Sequence, residues 1–225
     1  MPDPDLDSAS QQLRVIRSLM ERATIYRSLS APTALVGGLL SFGGLGVAYA
    51  VGRARGQMLS VGEFLAIWLI ILALTGLTNA LVLGREAQRR GAAFLSAGMK
   101  CALRSILPPF LCAGFFTMVV PSPIPLAAVW ILFYGLGLLA MQHFAPRSIV
   151  VLGWAFVLSF AAIWFAIPRW PQDLWMGDGD DALFASLLMA LTFGLFHMVY
   201  AVAVWVRGGE MKETPAGAPG EAEHV

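Results

Sequence analysis

REAQRRGAAFLSAGMKCALRSILPPF, residues 85 to 110, decides how this chain folds. It carries Arg85, Arg89, Arg90, Lys100 and Arg104, the densest positive charge in the sequence, between two long apolar segments. Lys and Arg are retained on the cytoplasmic side of a membrane, so the block orients everything on either side of it. Its second half opens an apolar helix with Arg104 and then places Pro108 and Pro109 one turn later. Those prolines cannot donate to the carbonyls of Arg104 and Ser105, so the helix is expected to bend there.

Outward from this block the charged residues avoid the apolar runs. The chain is 225 residues long, 58% hydrophobic and 13% charged, which is not the balance of a soluble domain. A transmembrane helix needs about 20 apolar residues to cross the hydrocarbon. Six segments qualify: 30–52, 64–83, 101–120, 126–141, 149–167 and 182–206. The fold expected is therefore all-α and polytopic, with six transmembrane helices in three in-out-in hairpins. In the first span Ala34, Gly37, Gly38, Ser41, Gly44, Ala48 and Gly52 recur at helical spacing. Small residues four apart let helices approach closely in lipid, so this span is expected at the centre of the bundle. On the second span Trp68, Leu72, Thr75 and Asn79 form one stripe.

Ahead of the bundle, residues 1–9 are acidic and proline-broken and read as a disordered tail. Residues 10–29 read as a cytoplasmic amphipathic helix: Leu13, Ile16 and Met20 share a face, with Arg14 and Arg17 to the sides. A plain lead-in to the first span explains them equally well. The polar N-terminus argues against a cleaved signal peptide, and residues 207–225 read as a disordered cytoplasmic tail.

Charge tests the threading. With six spans, Arg14, Arg17, Arg22, Arg27, Arg85, Arg89, Arg90, Lys100, Arg147, Arg207 and Lys212 share one side of the membrane. Only Arg53, Arg55 and Arg169 fall on the other, which places both termini in the cytoplasm of a bacterial inner membrane. Trp130, Trp164, Trp170 and Trp175 then lie near the outer interface, Trp154 and Trp205 near the inner one. Cys101 and Cys112 sit on one helix about 16 Å apart along its axis; they cannot bridge within it and read as small buried hydrophobes.

Polar residues inside spans are costly and are often functional. Counted from the inner ends by helical rise, Asn79 and Arg104 lie roughly 5–7 Å deep, Tyr134 and Tyr200 about 10 Å and His197 about 13 Å. Asn79, Arg104, Tyr134, His197 and Tyr200 thus form a candidate polar vestibule facing the cytoplasm. Snorkelling of Arg104 and ordinary interhelical hydrogen bonds account for the same residues. No Asp or Glu lies within a span, which weighs against ion-coupled transport. No phosphate loop, carboxylate pair or Cys/His metal spacing is present. No cofactor, metal or catalytic activity is expected, and a net charge of +1 argues for no direct contact with nucleic acid.

MERATIYRSLSAPTALVGG (20–38), the arginine-to-Pro-Pro region (104–109), WILFYGLGLLAMQHFAPRSIVVLGWAF (130–156) and FGLFHMVYAVAVW (193–205) resemble a family of small bacterial inner-membrane proteins without an assigned activity. The resemblance covers most of residues 20–206. It implies a six-span integral protein, in some members accompanied by a small winged-helix regulator, and it implies no residue role.

The role expected is structural or regulatory. Leu13, Ile16, Met20, Arg14, Arg17, Arg89 and Arg90 would engage a protein partner or anionic membrane lipid at the cytoplasmic face, alone or in an oligomer. The alternative is a small transporter or ligand-binding membrane protein that uses the vestibule.

Overall fold

A computed structural model describes residues 31–89, 97–143, 145–166 and 181–213. The expected amphipathic helix, with Leu13, Arg14, Ile16, Arg17 and Met20, lies outside these residues, as do Arg90, Trp170, Trp175, the N-terminal tail and residues 214–225; residues 207–213, expected as part of a disordered tail, instead continue the last helix to Glu213. Helices α1 (Ala31–Arg55), α2 (Val61–Arg89), α3 (Ala97–Val119), α4 (Pro123–Ala140) and α5 (Arg147–Ala166) are followed by a sixth rod in three parts. These are α6 (Asp181–Met189), a π-helical turn (Ala190–Leu195) and α7 (Phe196–Glu213). Six helices are long and apolar enough to cross a membrane, and the described residues contain no strand. The chain is an all-α polytopic membrane protein.

The spans fall where the apolar runs put them, but three ends move most, the sixth rod running on to Glu213. α2 continues as helix to Arg89, so Arg85, Glu86 and Arg89 extend the second span rather than open a loop. α3 starts at Ala97 and runs through Pro108 and Pro109 without a break in the helix. Cys101 and Cys112 are free and both are exposed, not buried; on a membrane helix that places them toward lipid.

Short turns set the order of the helices. After α1, Gly56 takes a positive φ of 59°, the left-handed conformation that ends helices at glycine. Ser60 and Glu63 then form a capping box at the start of α2. The Ser60 N–H and hydroxyl both donate to Glu63 Oε2 at 2.9 Å, and the Glu63 N–H returns to Ser60 Oγ at 3.3 Å. Arg55 pairs with Glu63 across the same turn. Pro123 stands in the first turn of α4, where its missing N–H costs nothing.

Packing follows the small residues. Thr33, Ala34, Gly37, Gly38, Ser41, Gly44 and Ala48 are the buried positions of α1, the face that meets α2 and the sixth rod. A Cβ at Gly44 would come within 2.1 Å of Ile71 Cδ1. One at Gly38 would come within 2.9 Å of the Gly194 carbonyl. α4 and α5 cross at a pair of glycines, where a Cβ at Gly135 would lie 2.9 Å from the Gly153 carbonyl and one at Gly153 would lie 3.2 Å from that of Gly135. The small-residue face of the first span is buried as expected, but the central position expected for that span belongs to α4: α1 packs extensively on α2 and the sixth rod alone, and α4 is the most buried of the six spans.

α4 packs on α3, α5 and α6, and the sixth rod also packs on α1 and, through α6, on α2. No extensive packing joins α2 to α3, although they are consecutive in sequence. Almost none of their residues are buried. Leu69, Ile70, Leu77 and Leu81 on α2 and Leu107, Leu111, Phe115 and Met118 on α3 are exposed apolar side chains. In water such a surface would be a liability; in hydrocarbon it is solvated by its own kind.

Candidate functional site

Behind α2 and α3 lies a cavity of about 210 Å³. α1 supplies Gly37 and Ser41; α2 supplies Trp68, Leu69, Ile71, Leu72 and Thr75. Phe110, Ala113, Gly114 and Thr117 come from α3, and Trp130, Phe133 and Tyr134 from α4. The sixth rod closes it with Met189, Phe193 and His197. The stripe Trp68, Leu72 and Thr75 read from the sequence is the α2 wall. Leu69, Leu72 and Phe110 line the cavity and are nevertheless 46%, 49% and 38% exposed, so the cavity is open on the side where α2 and α3 fail to meet.

Two residues make its polar floor. Tyr134 Oη and His197 Nε2 are 2.7 Å apart, and His197 Nδ1 is 2.7 Å from the carbonyl of Phe193. A carbonyl only accepts, so Nδ1 carries the proton; in the neutral ring Nε2 is then the acceptor and the tyrosine hydroxyl donates to it. Phe193 belongs to the π turn, where the ordinary backbone ladder is interrupted. The rings of Phe156 and Phe193 each stand 4.8 Å from that of Tyr134, and Phe110 is 6.5 Å away. The pair is therefore fixed by aromatic packing on three sides.

Higher in the cavity the polar groups are spent on one another. Trp130 Nε1 donates to Thr117 Oγ1 at 2.8 Å, and that hydroxyl donates to the Ala113 carbonyl at 2.8 Å. Trp68 Nε1 donates to Ser186 Oγ at 3.2 Å, and that hydroxyl donates to the Ala182 carbonyl at 2.7 Å. Ser41 Oγ donates to the Gly37 carbonyl at 2.9 Å. Trp130 also stacks on Phe64 at 5.9 Å, so it faces inward and is not the interfacial belt residue that its position suggests. Trp154, Trp164 and Trp205 do face outward, at 52%, 51% and 77% exposure.

Of the five residues expected to share a vestibule, the structure brings Tyr134 and His197 into contact and leaves three apart. Arg104 is exposed and lines no part of the cavity. Tyr200 is buried but engages the Ser148 side chain of α5. Asn79 lies one turn beyond Thr75, and its amide oxygen is buried without a hydrogen-bond partner. Similar depth did not bring these side chains together, because they leave their helices in different directions. The cavity also reaches toward the other membrane face. Trp68, Thr117, Trp130 and Met189 lie near the helix ends at Val61, Val119, Pro123 and Asp181. No set of three or more His, Cys, Asp or Glu among the described residues could hold a metal ion.

Phe193, Trp130, Thr117 and Gly114 were not singled out by the sequence. A π turn has no compositional signature, and a Trp near a span end reads first as a belt residue. No family model matches the chain, and neither a curated protein nor a solved structure matches it.

Proposed function

We propose that this integral membrane protein binds a small, largely apolar molecule taken from the bilayer, in the cavity between α1, α2, α3, α4 and the sixth rod. The observation that carries this reading is an apolar-walled space with one buried hydrogen-bonded pair on its floor and an open side facing lipid. Its roughly 210 Å³ exceeds the ~150 Å³ of dry cavities that take up benzene, which suits a molecule with one or two fused rings. The excess of Lys and Arg on one side supports a bacterial inner membrane and cytoplasmic termini, with the cavity running from its Tyr134–His197 floor toward the outer face. No catalytic step is assigned to the chain.

Gly114 supplies the test. It lines the cavity, and a Cβ there would meet nothing within 4 Å. Gly114→Leu should fill the space without straining the helix. Trp68 and Trp130 line the same space, so a brominated bicyclic probe such as 5-bromoindane should quench wild-type fluorescence with a saturable component. That component should vanish in Gly114→Leu while helical circular dichroism is unchanged. Equal saturable quenching in both proteins would overturn the reading.

A regulatory role at the cytoplasmic face is a second reading. Its structural support is that α2 presents Arg85 and Arg89, four residues apart and both exposed, at its end. Basic groups near an anionic leaflet contribute about 1 kcal/mol each. Replacing Arg85 and Arg89 together by Gln should then weaken binding to anionic nanodiscs in a salt-dependent way; an unchanged affinity would sink this reading.

A further inference from the structure

We propose that the site selects apolar molecules that bring a hydrogen-bond donor, an alcohol or a phenol, over the corresponding ketones and ethers. This rests on the ligand-binding reading above and names the class of ligand for the same cavity.

The selection follows from a proton count around the floor. The carbonyl of Phe193 takes the His197 Nδ1 proton at 2.7 Å. Nε2 is left with a lone pair, and Tyr134 fills it with its only proton at 2.7 Å. A phenol that has given its proton away keeps acceptor capacity on its oxygen and has no donor left. Further up, the donors of Ser41, Thr117, Trp68 and Trp130 are engaged within the protein. A cavity whose donors are spent offers acceptors. A ketone entering it finds no free donor on the Tyr134–His197 floor, whereas an alcohol pairs with Tyr134 Oη.

Thr75 is the exception among the lining hydroxyls. A Cβ on Gly37 would meet the Thr75 methyl at 3.2 Å, and no hydrogen bond engages its hydroxyl among the described residues. That hydroxyl rotates and can give or take a proton, so it belongs in the test.

The probes are 1-indanol and 1-indanone, competing with the bromoindane quench, with affinities referred to their concentrations in the detergent or lipid phase. Leaving a buried polar group unpaired costs enough to predict a preference for the alcohol of about tenfold or more in the wild type. Thr75→Val should keep that preference. Tyr134→Phe should keep it as well, because His197 Nε2 then presents the acceptor. His197→Leu should abolish it: Tyr134 loses its acceptor, its O–H becomes free to donate, and indanone should gain while indanol still pairs with the same oxygen. A residue with a merely structural role would lower both affinities together. Indanone binding as tightly as indanol to the wild type would overturn the donor rule while leaving the cavity reading intact. Loss of the preference in Thr75→Val would move it to that hydroxyl and overturn the assignment to Tyr134. Absence of saturable binding by both probes and by bromoindane would overturn the cavity reading beneath it.

Discussion

Gly38→Ala, read against Gly43→Ala on the same helix, measures how far this fold depends on close approach of backbones. At Gly38 the added methyl would lie 2.8 Å from Met198 Cγ and 2.9 Å from the carbonyl oxygen of Gly194. The methionine can turn aside, but the carbonyl is backbone in the π turn and moves only if the sixth rod moves. Overpacking of this kind costs typically 1–3 kcal/mol, and no hydrophobic gain offsets it between two helices already surrounded by hydrocarbon. At Gly43 the same methyl meets nothing within 4 Å. There the change removes a flexible residue from a helix and should be neutral or stabilise by up to about 1 kcal/mol. Unfolding of both variants by SDS titration in mixed micelles, followed by circular dichroism, should separate them by roughly 1–4 kcal/mol on these figures. Because Gly194 neighbours Phe193, whose carbonyl holds His197, Gly38→Ala should also weaken bromoindane binding, and Gly43→Ala should not. Equal stabilities for the two variants would refute the claim that α1 and the sixth rod meet through glycine.

Ser186→Ala leaves the Trp68 indole N–H without its acceptor in a place where Ser186 is fully buried and Trp68 is 3% exposed. Stranding a buried donor costs about 1–3 kcal/mol, so the same SDS titration should show a loss of that size; a variant as stable as the wild type would show that the bond contributes nothing. Threading is checked with single cysteines in a background lacking Cys101 and Cys112. Met58→Cys, in the exposed turn before α2, should react with an impermeant maleimide in intact cells and Gln88→Cys should not; the opposite pattern would reverse the orientation and turn the Trp68–Trp130 end of the cavity toward the cytoplasm.

The six spans and their alternation were legible because each rests on one physical quantity, the cost of leaving charge or an unpaired backbone group in hydrocarbon. That cost is paid residue by residue, so it can be read from Ser30–Gly52 or Ala182–Val206 without knowing what lies beside them. The burial of Gly37, Gly38, Ser41 and Gly44 was legible for a related reason: small residues at helical spacing have little use on a lipid-facing side. Helix ends were less legible. Arg85 and Arg89 look like loop because they are charged, yet at a membrane surface a helix continues into water without penalty, and α2 does so to its last turn.

The site was decided by tertiary structure. Depth along a helix follows from counting, and it put Tyr134 and His197 near the same level. The angle at which each side chain leaves its helix depends on how the rods rotate against one another, and no residue encodes that alone. Rotation joined Tyr134 to His197, turned Arg104 outward, handed Tyr200 to Ser148 and drew Trp130 onto Thr117. The π turn adds a further shift in the sixth rod that its sequence does not announce. The lack of packing between α2 and α3, which opens the cavity, is likewise a property of the assembled bundle: two helices joined in sequence stay apart because each finds its closer fit elsewhere, α2 on α1 and α3 on α4.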